Sequence, residues 1–212
     1  GAVARGFPEV GSAVFAYAPA LETLFKAELD NPVKDAARLD ATLDTLALPD
    51  ARARLLAAEE FLLRPRLFAS VSPAQLARYQ AALAEPTLPA LNRDFLLQAS
   101  ENLAPEQQGA WQAELARAQI KQHGAQFDLA SRLPSLVRTS ARLLEAHGGV
   151  DDLPLLEGLM RSNAPGVAKA ALSAMDKLDR ARTQAVAAGL VGDQSLHSET
   201  RLALGAYLKK TA

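Results

Sequence analysis

Residues 151–171 read DDLPLLEGLMRSNAPGVAKAA, and this stretch is the strongest indication of the fold in the whole chain. Two acidic residues precede a leucine-rich segment, a polar turn follows, and an alanine-rich segment begins at Pro165. Acidic side chains favour the N-terminal end of a helix, and proline is tolerated in a first helical turn. The stretch therefore predicts two short helices, over 152–161 and 165–177, joined by a tight turn.

The second of these helices has a counterpart further along the chain. Residues 169–175, KAALSAM, align with residues 201–207, RLALGAY, at an offset of 32. A weaker match joins 137–141 to 167–171 at an offset of 30. A two-helix unit of this length cannot bury both of its faces alone, so we expect successive units to stack on one another.

The unit at 151–171 resembles HEAT-type helical repeats, with an acidic start, a leucine-rich first helix, a turn with proline and an alanine-rich second helix. The specific resemblance covers about residues 151–208, and a unit at about 112–147 follows the pattern more weakly. Two departures stand out: Ala168 replaces the family's usual arginine, with the charge moved to Lys169, and Glu199-Thr200-Arg201 replaces the usual Val-Arg. The resemblance implies an α-α superhelix, a solenoid of stacked helical hairpins.

The composition of the whole chain favours the same fold class. Its 212 residues include 44 alanines and 36 leucines, against 10 valines, 1 isoleucine and 8 threonines. Alanine and leucine are strong helix formers, whereas buried sheets depend on β-branched residues. The composition therefore predicts an all-α protein.

Proline spacing predicts how many helices there are. The spacings 13, 17, 16, 8, 16 and 16 separate seven of the prolines: Pro19, Pro32, Pro49, Pro65, Pro73, Pro89 and Pro105. Gaps near 16 fit one short helix plus a connection, so we predict about a dozen short antiparallel helices. Ten can be placed from apolar periodicity and capping residues: 32–46, 50–63, 73–84, 88–101, 105–122, 128–146, 152–161, 165–177, 180–190 and 196–209. The sixth is expected to break near Pro134.

The regularity differs between the two parts of the chain. We predict an irregular N-terminal helical region over 1–110 and a HEAT-like region over 111–212, within one continuous domain. Ten of the eleven aromatic residues lie in 1–127. Those nearest the N-terminus are expected to form the core of a capping region: Phe7, Phe15, Tyr17 and Phe25.

No motif in the sequence nominates a catalytic or metal site. There is no cysteine, and none of the three histidines has metal-ligand spacing. His123 and His147 precede glycines and are interpreted as residues at helix ends. Glu59 and Glu60 interrupt an apolar stripe, and we predict an ion pair of Glu60 with Arg64 rather than an acid–base role. We therefore expect no catalytic residue, no metal and no cofactor.

Charge and hydropathy limit the partners but leave the compartment open. The formal net charge of −1 disfavours a dedicated nucleic-acid or membrane-surface protein. No run approaches eighteen apolar residues, so no membrane span is expected. Residues 1–20 lack a signal-peptide pattern. Since the chain starts at Gly1, we expect that its N-terminus has been trimmed. The compartment stays open between the cytoplasm and export with a signal or anchor that has been removed.

The expected function follows from the repeats. Stacked units would align the basic residues of their second helices along one surface, and the predicted partner-binding residues are Arg138, Arg142, Lys169 and Arg201. We expect a non-catalytic scaffold that binds a protein or peptide there. One alternative is an all-α enzyme or small-ligand carrier with an unrecognised pocket. A second is weak, salt-sensitive binding of nucleic acid through the same basic residues.

Overall fold

The computed structural model describes residues 32–124, 133–162 and 164–211. Within them the chain forms ten α-helices, three 3₁₀ turns and no β-strand, which confirms the all-α prediction. The α-helices are α1 Pro32–Leu46, α2 Ala51–Leu63, α3 Pro73–Ala84, α4 Ala90–Ser100, α5 Ala110–His123, α6 Leu133–His147, α7 Leu153–Leu159, α8 Pro165–Leu178, α9 Arg180–Leu190 and α10 Ser198–Thr211. The 3₁₀ turns are Pro65–Phe68, Pro105–Gln107 and Val150–Asp152.

Proline and capping side chains determine where several helices begin. Helix α3 starts at Pro73, and Ser72 Oγ accepts a hydrogen bond from the Gln75 amide over 3.3 Å. Gln75 Oε1 in turn accepts from the Ser72 amide over 2.9 Å, which completes a capping box. Asp50 and Asp179 cap α2 and α9 in the same way, each accepting from a backbone amide three residues later.

One predicted helix begins later than the sequence suggested, and another is described only from its second turn onward. The one predicted over 105–122 opens with a 3₁₀ turn, and α5 starts only after Gly109, whose φ of +131° other residues rarely adopt. Helix α6 is described from Leu133 to His147 and continues without a break after Pro134. The preceding residues 125–132 lie outside the described residues, as do 1–31 with their predicted aromatic cluster.

The helices pack in two ways. Sequential pairs contact each other, with α5 against α6, α7 against α8, and α9 against α10. The even-numbered helices also follow one another in space: α2 contacts α4, α4 contacts α6, α6 contacts α8, and α8 contacts α10. One buried apolar cluster runs through all of these contacts, from Leu39 on α1 to Leu204 on α10.

Burial follows simple helical spacing in α1 but not in α4. Leu39, Leu43 and Leu46 of α1 are buried, as expected from their spacing. In α4 the fully buried leucines are Leu96 and Leu97. This helix contacts α2, α3 and α6, so more than one of its faces is covered.

Buried side chains join residues 32–110 to the later helices. Thr139 Oγ1 of α6 donates to Asp94 Oδ1 of α4 over 2.9 Å, and both residues are buried. Gln112 Nε2 of α5 donates to Ser100 Oγ of α4 over 2.9 Å. Because a buried polar group is costly to leave unpaired, these bonds fix α4 against the helices that follow it.

An aromatic cluster from α2, the 3₁₀ turn after it and α3 is buried in the core. The rings of Phe61, Phe68 and Tyr79 lie with their centroids 5.1–5.4 Å apart. The Tyr79 hydroxyl donates to the carbonyl of Leu96 over 2.5 Å, so its polar end is satisfied inside the core. Burial raises the pKa of Tyr79 well above its ordinary value.

Candidate functional site

The four predicted partner-binding residues lie on three successive even-numbered helices. Arg138 and Arg142 are on α6, Lys169 is on α8, and Arg201 is on α10. Arg138, Arg142 and Lys169 are exposed, and Arg201 is half-buried. The alignment at an offset of 32 therefore places basic residues on helices that do pack in sequence, α8 against α10.

Two of the four cations are paired with a carboxylate on the neighbouring helix. Arg142 Nη2 lies 2.5 Å from Glu101 Oε2 at the end of α4. Lys169 Nζ lies 3.6 Å from Glu199 Oε2 at the start of α10. These pairs neutralise part of the expected positive charge.

The other two cations have neutral neighbours. Arg138 Nη2 is 3.4 Å from Ser135 Oγ, and its aliphatic chain approaches Gly166, where an added Cβ would lie 3.7 Å from Cδ. Arg201 donates to the side-chain carbonyl of Gln194. Because Arg201 is two residues after Glu199, it leaves α10 about 200° around the helix from that residue, so it points away from Lys169.

We use the term stacked-helix surface for the side chains of Glu101, Arg138, Arg142, Glu145, Ser173, Lys169 and Glu199, where Arg138 is exposed one turn before Arg142 on α6. Contacts within it cross three helix boundaries: Glu101–Arg142, Glu145–Ser173 and Lys169–Glu199. The middle contact is a hydrogen bond of 3.1 Å from the Ser173 hydroxyl to Glu145 Oε1. Acidic and basic groups alternate along it, so its local charge is mixed rather than uniformly positive.

A further polar contact joins α8 to α10 beside this surface. The Tyr207 hydroxyl donates to Asp176 Oδ1 over 2.6 Å. This bond lowers the pKa of Asp176, while burial and the same bond raise the pKa of Tyr207 to about 12. At neutral pH the phenol is therefore the donor and the carboxylate the acceptor.

A cleft of about 330 Å³ opens at the edge of the stacked-helix surface, where α4, α6 and α8 end. It is lined by Glu101, Gln108, Arg142, Leu143, Glu145, Ala146, His147 and Lys177. Burial raises the pKa of Glu101, whose Oε1 is buried without a donor, although Arg142 counteracts this effect. Burial and the nearby Lys177 lower the pKa of His147, so its ring is neutral at pH 7 and can both donate and accept.

The structure places three of the residues that were weighed for chemistry in the sequence: Glu60, His123 and His147. Glu60 lies 3.5 Å from Arg64 Nε, as predicted, and also 2.5 Å from Arg38 Nε. His123 and His147 are the last residues of α5 and α6, which agrees with their interpretation as helix-end residues. Within the described ranges no group of three or more His, Asp or Glu side chains is placed to hold a metal ion.

His123 differs from an ordinary helix-end histidine. Both of its ring nitrogens are buried without a hydrogen-bond partner. Burial, with a smaller contribution from Arg93, lowers its pKa. Its neutral form is therefore favoured, and it does not act as a capping cation at pH 7.

The sequence did not nominate Glu101, His147 or Lys177 as surface groups beside Arg142. Glu101 and Lys177 are 76 residues apart and meet only through the packing of α4, α6 and α8. No local motif brings them together. Glu199 was visible as a departure from the repeat pattern, and that departure supplies the partner of Lys169.

No protein-family model, curated protein or solved structure matches this chain. Within the described residues, no helix is long and apolar enough to cross a membrane.

Proposed function

We propose that this chain is a HEAT-like α-solenoid that acts as a non-catalytic scaffold and binds a protein or peptide along the stacked-helix surface. In this arrangement the even-numbered helices form one layer and present one face to the partner. The odd-numbered helices form the other layer, behind them.

The packing order supports the solenoid. In a stack of helical hairpins each second helix contacts the second helix of the next hairpin, as well as its own partner. Here α4, α6, α8 and α10 contact one another in succession, and α5–α6, α7–α8 and α9–α10 form hairpins. Both kinds of contact are those that a solenoid requires.

The single observation that carries the proposed function is the continuity of the stacked-helix surface. Its contacts connect α4, α6, α8 and α10 without interruption, so side chains from four helices form one polar strip with a cleft at its edge. Alternating donors and acceptors suit the polar groups of a peptide chain better than a phosphate backbone, which needs clustered cations. Pairing of Arg142 and Lys169 with carboxylates therefore favours a protein or peptide over nucleic acid.

A displayed library of random peptides tests the proposal. Peptides selected on the wild-type protein are measured against an Arg138→Glu/Arg142→Glu variant. The matched control is Lys121→Glu/Arg182→Glu, which makes the same charge change on α5 and α9. Exposed ion pairs contribute only about 0–1 kcal/mol, so both variants are expected to remain folded.

The proposal expects selected peptides to lose at least about tenfold in affinity for the α6 variant and to bind the control as they bind wild type. Equal losses in both variants would indicate a charge effect without a defined surface. A selection that yields no binders to wild type would likewise overturn the proposal. Circular dichroism of each variant establishes that the helices are intact.

A further inference from the structure

A second groove lies on α10, away from the stacked-helix surface. It has a volume of about 670 Å³, and its lining includes Val191, Arg201, Leu202, Gly205, Ala206 and Lys209. Leu202 is 73% exposed, which makes it the most exposed large apolar side chain among the described residues. Its significance is that it shares the groove with Val191 and Ala206, since contiguous exposed apolar groups are typical of interaction sites whereas single ones are not.

The direction of this groove follows from the contacts of α10. Glu199 and Tyr207 face α8, where they bind Lys169 and Asp176. Thr200 and Leu204 are buried. Leu202 and Lys209 therefore lie on the remaining side of the helix, where both are exposed.

The floor of the groove suits a helix. Gly205 and Ala206 lie one turn after Leu202 on the same side of α10, and a Cβ added at Gly205 would lie 3.9 Å from Val191. Small residues on a helix face allow another helix to approach closely, and a leucine beside them can enter the gap between its side chains. An apolar helix face of three or four turns would cover this floor.

The rim of the groove determines the charge of its partner. Among the described residues that line the groove, only Arg201 and Lys209 are charged. Neither of them is paired with a carboxylate of the described residues. Elsewhere on the described surface many basic residues have acidic partners, as Arg142 and Lys169 do. The groove therefore has uncompensated positive charge along an apolar floor.

We propose that this groove binds an amphipathic helix of a partner protein, whose apolar face covers Leu202 and whose acidic side chains pair with Arg201 and Lys209. The inference rests on the proposed function in one respect, since the groove lies on the last helix of the proposed stack. It adds the chemistry of the partner and a docking position separate from Arg138 and Arg142.

Two designed peptides of about five helical turns test this inference. Both have leucines at helical spacing along one face, and the flanking residues are glutamates in one and lysines in the other. Binding is followed by fluorescence anisotropy at low and high salt. We expect the acidic peptide to bind at least about tenfold more tightly than the basic one, with a difference that shrinks as salt rises.

Three variants locate the binding site. Leu202→Gln is expected to weaken binding of the acidic peptide about tenfold, because it removes the apolar anchor. Arg201→Gln/Lys209→Gln is expected to remove the preference between the two peptides. Leu63→Gln, which changes a leucine of 71% exposure on α2, is the matched control and should bind as wild type.

The inference is overturned by equal affinity for the two peptides, or by unchanged binding to Leu202→Gln. It is also overturned if wild type self-associates and Leu202→Gln abolishes that association, since a second copy would then occupy the groove. Library peptides that depend on Arg138 and Arg142 would preserve the proposed function in any of these cases. Failure of both peptide experiments would remove both proposals.

Discussion

Arg117 of α5 binds Asp152 through two parallel hydrogen bonds, Nε to Oδ1 over 2.5 Å and Nη2 to Oδ2 over 2.9 Å. The carboxylate also accepts from the Gly149 amide over 2.9 Å, and its side chain is only 4% exposed. Asp152 thus joins α5 to the turn that leads into α7. The bonds from Arg117 and Gly149 lower the pKa of Asp152.

We expect Arg117→Gln to lower the free energy of unfolding by about 2 kcal/mol at pH 7, because the buried carboxylate would lose its charged partner. The pKa of Asp152 is lower in the folded protein than in the unfolded chain, where it is about 4. The ionised carboxylate therefore stabilises the fold at pH values above about 4, and this stabilisation is lost as the pH falls through the folded-state pKa. The deficit of the variant should therefore shrink towards pH 3. Urea unfolding at pH 7 and pH 3 measures it.

The control for this prediction is Arg161→Gln. Arg161 pairs with Asp193 over 3.1 Å, but its side chain is 61% exposed, so the expected cost is below about 1 kcal/mol. A deficit of Arg117→Gln that stays constant with pH would contradict the assignment.

Gly148 has no space for a side chain. An added Cβ would lie 2.5 Å from the Leu144 carbonyl oxygen and 2.8 Å from Asp152 Oδ2. We expect Gly148→Ala to cost roughly 1–3 kcal/mol, since the backbone must shift. Gly149→Ala is the neighbouring control, because nothing lies within 4 Å of its Cβ position, and it should change stability by less than about 0.5 kcal/mol. Thermal unfolding of both variants decides whether close approach is the cause.

Local features of the sequence predicted the helices because local interactions determine where helices begin. The Ser72–Gln75 capping box is formed by residues three apart, and a first-turn proline is visible in any sequence. The late start of α5 was missed although Gly109 marks it, because the positive φ of that residue depends on how the chain turns after α4.

Features that depend on several helices were less predictable. Asn92, Arg93 and Asp94 are consecutive polar residues, yet all three are buried. Arg93 Nη2 donates to the Glu85 carbonyl over 2.6 Å, so it satisfies the end of α3 rather than water. The cleft beside Arg142 was also not predicted, because its lining residues come from separate helices. Periodicity describes one helix at a time and carries no information on such pairings.

The bond between Thr139 and Asp94 offers a test of the predicted single domain, since it joins the two regions that the sequence distinguishes. Thr139→Val keeps the shape but removes the donor to a buried carboxylate, and we expect a cost of about 1–2 kcal/mol. Thr139→Ser retains the hydroxyl and should keep the bond. Hydrogen exchange of peptides from 32–110 and 133–211 should show both regions destabilised together; separate transitions would contradict one continuous domain.

Tyr79→Phe removes the hydroxyl that donates to the Leu96 carbonyl and keeps the ring within its aromatic cluster. We expect a cost of about 1 kcal/mol at pH 7. Burial raises the pKa of Tyr79 in the folded protein above that of the unfolded chain, which is about 10. Its contribution to the free energy of unfolding is therefore complete at pH values below about 10 and is lost as the pH rises towards the folded-state pKa. The variant should therefore lose less stability than wild type between pH 9 and pH 11. Denaturant unfolding across that range measures the difference. The control is Phe68→Leu, which changes the same aromatic cluster but keeps the phenol and should follow the pH dependence of wild type; parallel curves for wild type and Tyr79→Phe would show that the buried phenol is not the group responsible.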